Sequence, residues 1–207
     1  GLLAKGPEGD LYTTSPAGGS HNNQGTIFRI SPKNGALHVL YSFDRGEKGG
    51  NPLGGLVATA DGTFTGTTYA GGLYVVDDKG TRRAGAGTVF SFRPGAAAPE
   101  VLHTFHNGNL DGIKPILCPK DRPCQHSPQQ RMDAAPSYPL SAPVLASDGN
   151  LYGVTAYSNN QGFGALYRIS SGGFRTLCIS ADMPTAPDIS DEKLRDSCLF
   201  NGPNGNM

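Results

Sequence analysis

One unit recurs three times along this chain, and its period limits the folds open to it. The best-formed copy is Leu140-Ser-Ala-Pro-Val-Leu-Ala-Ser-Asp-Gly-Asn-Leu-Tyr-Gly-Val-Thr155, followed after a loop by Gly164-Ala-Leu-Tyr-Arg-Ile-Ser170. Pro52 through Asp61-Gly62 to Gly66 and Thr68 aligns with Pro139 through Asp148-Gly149 to Gly153 and Thr155 without a gap. Residues Gly1 to Thr14 form the remaining copy, with Glu8-Gly9 at the turn and, in this alignment, one extra residue before it. A third segment recurs as Gly25–Ser31, Gly87–Arg93 and Gly164–Ser170, and a fourth as Leu37–Phe43, Glu100–Phe105 and Phe174–Cys178. Repetition at this length means that each copy is one supersecondary unit, which buries its apolar surface against its neighbours.

The pieces read as strands. Asp-Gly between apolar runs is a hairpin signal, and a type I′ turn, with positive φ at both central residues, is the expectation at 61–62 and 148–149. In the third segment Phe28 and Ile30, Phe90 and Phe92, and Tyr167 and Ile169 share one face by the two-residue period. The opposite face carries Ile27, Val89 and Leu166, so both faces are partly apolar. Such a sheet has to be covered on both sides. Four short antiparallel strands per unit, stacked between neighbours, describe an all-β, propeller-like array of three blades, at 1–43, 52–105 and 139–180. Closed propellers have ~4–8 blades, so three are expected to be part of a larger ring or of one completed by association.

Composition narrows the class. Gly and Pro number 30 and 16 of 207 residues, with no Trp. The glycines sit at fixed repeat positions, which favours a turn-rich β domain over disorder. Lys plus Arg and Asp plus Glu are 17 each, for zero formal charge, and no basic run marks a nucleic-acid partner. No apolar run reaches the ~20 residues of a membrane span.

Two segments interrupt the repeats: a cysteine-containing insertion at 106–138 and a tail at 181–207, in which Ser190–Ser197 has the pattern of a short capped helix. Four cysteines allow three pairings. Cys118 with Cys124 and Cys178 with Cys198 are favoured because each pair closes a local loop; four free thiols are the alternative. Paired cysteines in a loop-rich chain point to an oxidising, extracytoplasmic compartment.

The pattern Pro-x-x-x-(Leu/Val)…Asp-Gly-x-(Leu/Phe)-x-Gly-x-Thr…Gly-(Thr/Ala)-(Val/Leu)-(Phe/Tyr)…(Val/Thr)-Leu…Phe resembles the GloVer tandem repeat of bacterial proteins that often carry a C-terminal surface-anchoring signal. The likeness runs through all three units, about two-thirds of the chain. It departs in the first, where Glu8-Gly9 replaces Asp-Gly and Thr13 stands where the others have Gly. The resemblance implies a propeller-like extracytoplasmic protein, and it brings no catalytic residues with it.

Residues that invite a chemical reading have simpler ones. Asp61 and Asp148 alone lack the set of oxygen ligands calcium needs, and forming the turn accounts for them. Gly66 and Gly153 fit close packing better than ligand approach. Thr68 and Thr155 are expected to pair across strands. Cys118, Cys124 and His126 do not follow a standard zinc spacing, so a disulfide is preferred there. Asp111 and Asp133 read as solvated loop carboxylates rather than a hydrolytic pair. No haem, phosphate-loop, nucleophile-elbow or metalloprotease motif occurs. No catalytic, cofactor or metal residue is therefore assigned.

The leading functional expectation is a non-enzymatic binding or scaffold module that holds a protein partner. A propeller enzyme of the quinoprotein or carbohydrate-active kind, with its site at a central channel, is the first alternative. A structural subunit of a surface assembly is the second. Connections in an up-and-down blade alternate between two ends. The long ones, 70–86, 106–138 and 181–207, all fall at one end, opposite the short turns. That face is the expected docking surface. Arg82, Arg83, Arg122, Arg131 and Tyr138 are its candidate contacts, because Arg and Tyr are enriched at binding hot spots.

Overall fold

The computed structural model describes residues 2–72, 75–76, 82–83, 85–106, 136–158 and 163–179, and of Val75, Val76, Arg82, Arg83, His106, Pro136, Ser158, Phe163, Cys178 and Ile179 the backbone alone. The described chain is all β, in three antiparallel sheets laid out one per repeat. The first holds β1 (Ala4–Lys5), β2 (Leu11–Ser15), β3 (Thr26–Ile30) and β4 (Leu37–Ser42), in sequence order. The second opens with β5 (Leu56–Ala58) and β6 (Phe64–Thr68). A separate two-stranded hairpin follows, β7 (Val75–Val76) and β8 (Arg82–Arg83), before the second sheet resumes with β9 (Gly85–Phe92) and β10 (Glu100–His106). In the third, β11 (Pro136–Pro139) and β12 (Val144–Leu145) both pair with β13 (Leu151–Ser158), which continues through β14 (Phe163–Ser170) to β15 (Gly173–Ile179).

Two sequence expectations need correction. Residues 136–138, read as the end of an insertion, belong to the third sheet and give it a fifth strand: Ser137 pairs with Tyr157 and Pro139 with Thr155. Prolines are tolerated there because β11 is an edge strand, which has N–H groups to spare. The other concerns the turns. Gly62 N donates to Thr59 O (3.1 Å) and Thr59 N to Thr63 O (2.9 Å). The same two bonds close the third-sheet turn between Ala146, Gly149 and Asn150 and the first-sheet turn between Gly6, Gly9 and Asp10. Only the glycine is left-handed, with φ of 87°, 79° and 78° at Gly9, Gly62 and Gly149. This is the three-residue loop ending in a G1 bulge, not a type I′ turn. The aspartate's contribution is its side chain: Asp61 and Asp148 accept hydrogen bonds from the backbone N–H two residues on (3.3 and 3.0 Å). The first turn needs no extra residue, since Ala4 pairs with Tyr12 as Val57 pairs with Thr65.

The core lies between the sheets. Ala4, Tyr12, Ile27 and Phe43 of the first repeat meet Leu56, Phe64, Phe90 and Phe92 of the second. Tyr12 stacks on Phe64 with ring centroids 4.4 Å apart, and Phe43 leans on Phe90 at 5.4 Å. The other face of the second sheet supplies Ala86, Val89 and Phe105 to a second cluster with Tyr167, flanked by Tyr138, Ile169 and Phe174. Each buried aromatic or aliphatic side chain contributes about 1.5–3 kcal/mol. The two-residue period thus puts Phe90 against the first sheet and Val89 against the third, as the pattern of the sequence required.

The glycines of the repeat make this approach possible. A Cβ on Gly66 would lie 2.7 Å from Phe90 Cζ, and one on Gly153 would lie 2.2 Å from Tyr167 Oη. Close packing, not ligand access, explains both. Buried threonines satisfy polar groups that the stacking would strand. Thr67 Oγ1 donates to Ser141 O of the third repeat (2.9 Å), and Thr68 and Thr88 hydroxyls pair across β6 and β9 (2.9 Å). Thr155 Oγ1 instead accepts from Ala165 N (3.2 Å) and donates to Tyr157 O (2.9 Å).

Tyr167 is fully buried, and its hydroxyl has no hydrogen-bond partner among the described residues. Burial pushes its ionisation well above the ordinary tyrosine range. The equivalent residues of the other repeats are Phe28 and Phe90. Tyr167→Phe is therefore expected to raise stability by about 1 kcal/mol in urea unfolding, because it removes an unsatisfied buried donor. Gly153→Ala in the native background is expected to lower stability by about 1–3 kcal/mol through overpacking on the same ring.

Candidate functional site

The connections between β2 and β3, between the first and second repeats, and after β6 gather at one end of the sheets. Asn51 anchors them. Its N–H donates to Gln24 O (2.6 Å), its Nδ2 to Pro16 O (3.0 Å), and its carbonyl accepts from Tyr69 N (3.0 Å). Gly50 and Ala70 exchange two backbone bonds of 2.7 and 3.1 Å, and Gly72 N donates to Gly46 O (2.9 Å). Gly71, at φ 80°, sits where a Cβ would lie 2.8 Å from Arg45 O and from Gly49 Cα, so no side chain fits. The result is a hydrogen-bonded shelf of loops rather than loose connections. At the opposite end lie the three short bulged turns.

Three tyrosines converge beside this shelf. Tyr138 lies 4.9 Å from Tyr69 and 5.9 Å from Tyr157, ring centroid to ring centroid. Tyr69 and Tyr138 are half-buried and Tyr157 is exposed. Tyr138 carries φ of 58°, a left-handed backbone that a bulky residue before proline rarely adopts. Asn51 holds the equivalent place before Pro52 at φ 53°. In both, the bend drives the following proline into the preceding repeat. Pro52 Cδ lies 2.5 Å from a Cβ built on Gly25, and Pro139 Cδ 2.8 Å from one built on Gly87. Asparagine tolerates this conformation readily, and tyrosine does not. Position 138 therefore holds an aromatic ring at a conformational cost of about 1–3 kcal/mol.

Of the residues singled out from the sequence, Tyr138 is placed on this face in full. Arg82 and Arg83 form β8, in the connection between β6 and β9, as backbone only. Arg122, Arg131, Cys118, Cys124, Cys198, His126, Asp111, Asp133 and the 190–197 helix lie outside the described residues, and Cys178 is placed on β15 by its backbone alone. Tyr69 and Tyr157 were missed. Their signal was available: an aromatic follows the repeat's threonine at Thr68-Tyr69 and again at Thr155-Ala156-Tyr157.

Asp61 and Asp148 are occupied by their own turns. Asp61 accepts from the hydroxyls of Thr59 (2.6 Å) and Thr63 (2.7 Å) and pairs with Arg93 (3.1 Å). Asp148 accepts from Asn150 Nδ2 (2.8 Å) and the Tyr152 hydroxyl (2.7 Å). Among the described residues no three His, Cys, Asp or Glu side chains gather, and no helix is long and apolar enough to cross a membrane. A shallow recess of about 260 Å³ lies between the first two bulged turns, lined by Lys5, Pro7, Thr59, Gly62 and Phe64.

No family model and no curated protein matches the sequence. Among solved structures, this chain is similar to a protein of unknown function from Dyadobacter fermentans, with TM-score 0.46 and 13% identity, covering 86% of this chain and 53% of that one. It is also similar to a candidate 6-phosphogluconolactonase from Bacteroides fragilis, with TM-score 0.41 and 14% identity, covering 86% of this chain and 38% of that one. The chain spans about half the length of the first and under two-fifths of the second.

The turn carboxylates predict an acid response. Hydrogen bonds from the Thr59 and Thr63 side chains, then the Thr63 backbone, hold the Asp61 carboxyl far below the usual range, with Arg93 adding to the effect. The unfolded chain therefore binds the proton first. Asp61 contributes stability above the ordinary carboxylate value of ~3.9, and that contribution is lost as pH falls toward the folded value. Asp61→Ala is expected to lower the unfolding midpoint at neutral pH and to converge on the parent as pH falls below about 4. Unfolding curves across this range check it.

Proposed function

We propose that this chain is a propeller-type scaffold module which docks a protein partner through its loop shelf, with the Tyr69–Tyr138–Tyr157 cluster at the centre. The propeller reading is supported by the stacking of one sheet per repeat and by the recurrence of one junction. Gly25 against Pro52 and Gly87 against Pro139 join successive sheets in the same way. Extracytoplasmic placement and membership of the GloVer-type repeat proteins belong to the same proposal, resting on the repeat pattern and the cysteine content.

The observation that carries the docking reading is Tyr138. A left-handed backbone is needed before Pro139, and asparagine at the equivalent place meets that need more easily. The ring packs in part against the second core cluster, and it also stands at the surface beside Tyr69 and the exposed Tyr157. Tyrosine offers a large, rigid contact area with a polar tip and is enriched at interface hot spots. The groups gathered around it on the described surface are aromatic rings and loop amides, which suit protein contact. Arg82 and Arg83, on the hairpin that leaves this same end, are proposed as flanking contacts, as are Arg122 and Arg131.

Tyr138→Asn installs the residue that position 51 already uses, so relief of the left-handed backbone offsets the packing that the ring loses against the core. The expected outcome is an unfolding midpoint close to the parent's, with partner affinity in the native complex reduced about 10-fold or more. Tyr157→Ser should behave alike. Undiminished association in both variants, measured on the complex purified from the native host, would remove the loop shelf as the docking face.

A further inference from the structure

Three turns share one local bond, and at one of them it has a different chemical meaning. The backbone N–H two residues on donates to the side-chain oxygen of Asn34 (Ala36 N, 3.0 Å), of Asp61 (Thr63 N, 3.3 Å) and of Asp148 (Asn150 N, 3.0 Å). A left-handed glycine follows each, with φ of 69°, 79° and 78° at Gly35, Gly62 and Gly149. The bond folds the side chain back over the peptide that follows it. The side-chain carbonyl carbon is thereby turned toward the glycine nitrogen, and glycine puts no Cβ in the way. At Asp61 and Asp148 this has no chemical consequence, because an ionised carboxylate is a poor electrophile. Bonds from the Thr59 and Thr63 hydroxyls hold Asp61 ionised, and bonds from the Asn150 backbone, the Tyr152 hydroxyl and the Asn150 side chain do so for Asp148. Asn34 carries a neutral carboxamide, which is an electrophile. It is exposed, and a Cβ on Gly35 would meet nothing within 4 Å.

We propose that Asn34, in the turn between β3 and β4, is a site of spontaneous covalent modification, in which the Gly35 nitrogen closes on the Asn34 side-chain carbon and water reopens the ring. The Gly35 N–H gives its proton to solvent, a bond forms from that nitrogen to Cγ of Asn34, and the bond from Cγ to Nδ2 breaks, releasing ammonia. Water then adds to either carbonyl of the cyclic imide, giving aspartate or isoaspartate. The reaction consumes one water and needs no oxidant, metal or cofactor. The Ala36 N–H already on Oδ1 stabilises the charge that develops there as the ring closes. The Gly35 N–H also donates to Ser31 O (2.8 Å), and that bond has to open first. Opening costs little in an exposed turn that leads into an edge strand. Among the described residues this is the one Asn-Gly pair. Asn51 precedes Pro52, which has no N–H, and the nitrogens after Asn22, Asn23 and Asn150 belong to residues with a Cβ. The products differ in their fit. Aspartate at 34 makes the bond that Asp61 and Asp148 already make, and it adds a negative charge beside Lys33. Isoaspartate lengthens the main chain by a methylene inside a turn whose ends are tied by Ser31 N to Ala36 O (2.9 Å).

The test is peptide mapping by mass spectrometry after the folded protein has stood at neutral pH in water enriched in heavy oxygen, beside a sample held unfolded in guanidinium. Digestion follows in ordinary water, so each event on the intact protein is marked by one heavy oxygen at the residue that reacted. In the folded sample the label is expected at position 34, as both aspartate and isoaspartate, at a rate about tenfold or more above that at Asn22, Asn23 or Asn150. Asp61 and Asp148 should stay unlabelled. In Asn34→Gln the label should vanish from this peptide, because the longer side chain closes a larger ring far more slowly. Persistence of the label there would assign the reaction to another residue and overturn the proposal. So would an Asn34 that stays intact in the folded sample while the unfolded one converts, since the turn would then protect it. Equal labelling at Asp61 and Asp148, or conversion at Asn34 no faster than at the other three asparagines, would overturn it as well. The turn lies at the end opposite the loop shelf, so none of these results bears on docking at Tyr138.

Discussion

Everything here depends on sheets that are apolar on both sides. A sheet with one solvated face needs a single layer of cover, but the second repeat carries Phe64, Phe90 and Phe92 on one face and Val89 and Phe105 on the other. It is stable only between two neighbours. The first and third repeats carry the same alternation and therefore have the same requirement. The stacking of like on like, not any single hydrogen bond or ion pair, makes a row of sheets out of three hairpin pairs.

Stacking this close has two local costs, met in the same way at each junction. Side chains have to be absent where rings cross β strands, hence glycine at 66 under Phe90 and at 153 under Tyr167. The chain also has to turn sharply into the next sheet. It does so with a left-handed residue before proline, Asn51 or Tyr138, so that the proline ring fills the space above Gly25 or Gly87. Each junction therefore pairs a glycine that cannot bear a side chain with a proline that occupies the gap. At Asn51 the side chain amide also ties the loops together through Pro16 O. At Tyr138 that amide is absent and an aromatic ring stands in its place, beside Tyr69 and Tyr157.

Docking at the loop shelf rests on a ring that packs partly on the core and partly reaches the surface. It is local and set by the identity of a side chain. The exposure of Leu3 and Val39 on the first sheet and of Val144 and Val154 on the third follows instead from repetition, and is set by where, within the row, a repeat sits.

Strand placement and face assignment were legible in the sequence because both depend on local periodicity: Phe90 and Val89 alternate, and so do their environments. The glycines at 66 and 153 were legible for the same reason, as was the position of each turn. The type of turn was not, since Asp-Gly serves equally in a type I′ loop and in a bulged three-residue loop. The choice lies in the pairing register on either side. Nor was the extra strand at 136–139, whose prolines argue against a strand unless an edge is available. The convergence of Tyr69, Tyr138 and Tyr157 was hidden by their separation along the chain. Sequence by itself determined which side of each strand is apolar. Only tertiary structure decided which of those sides is covered, because burial depends on the neighbour a face meets, and a repeat carries no mark of its place in the row.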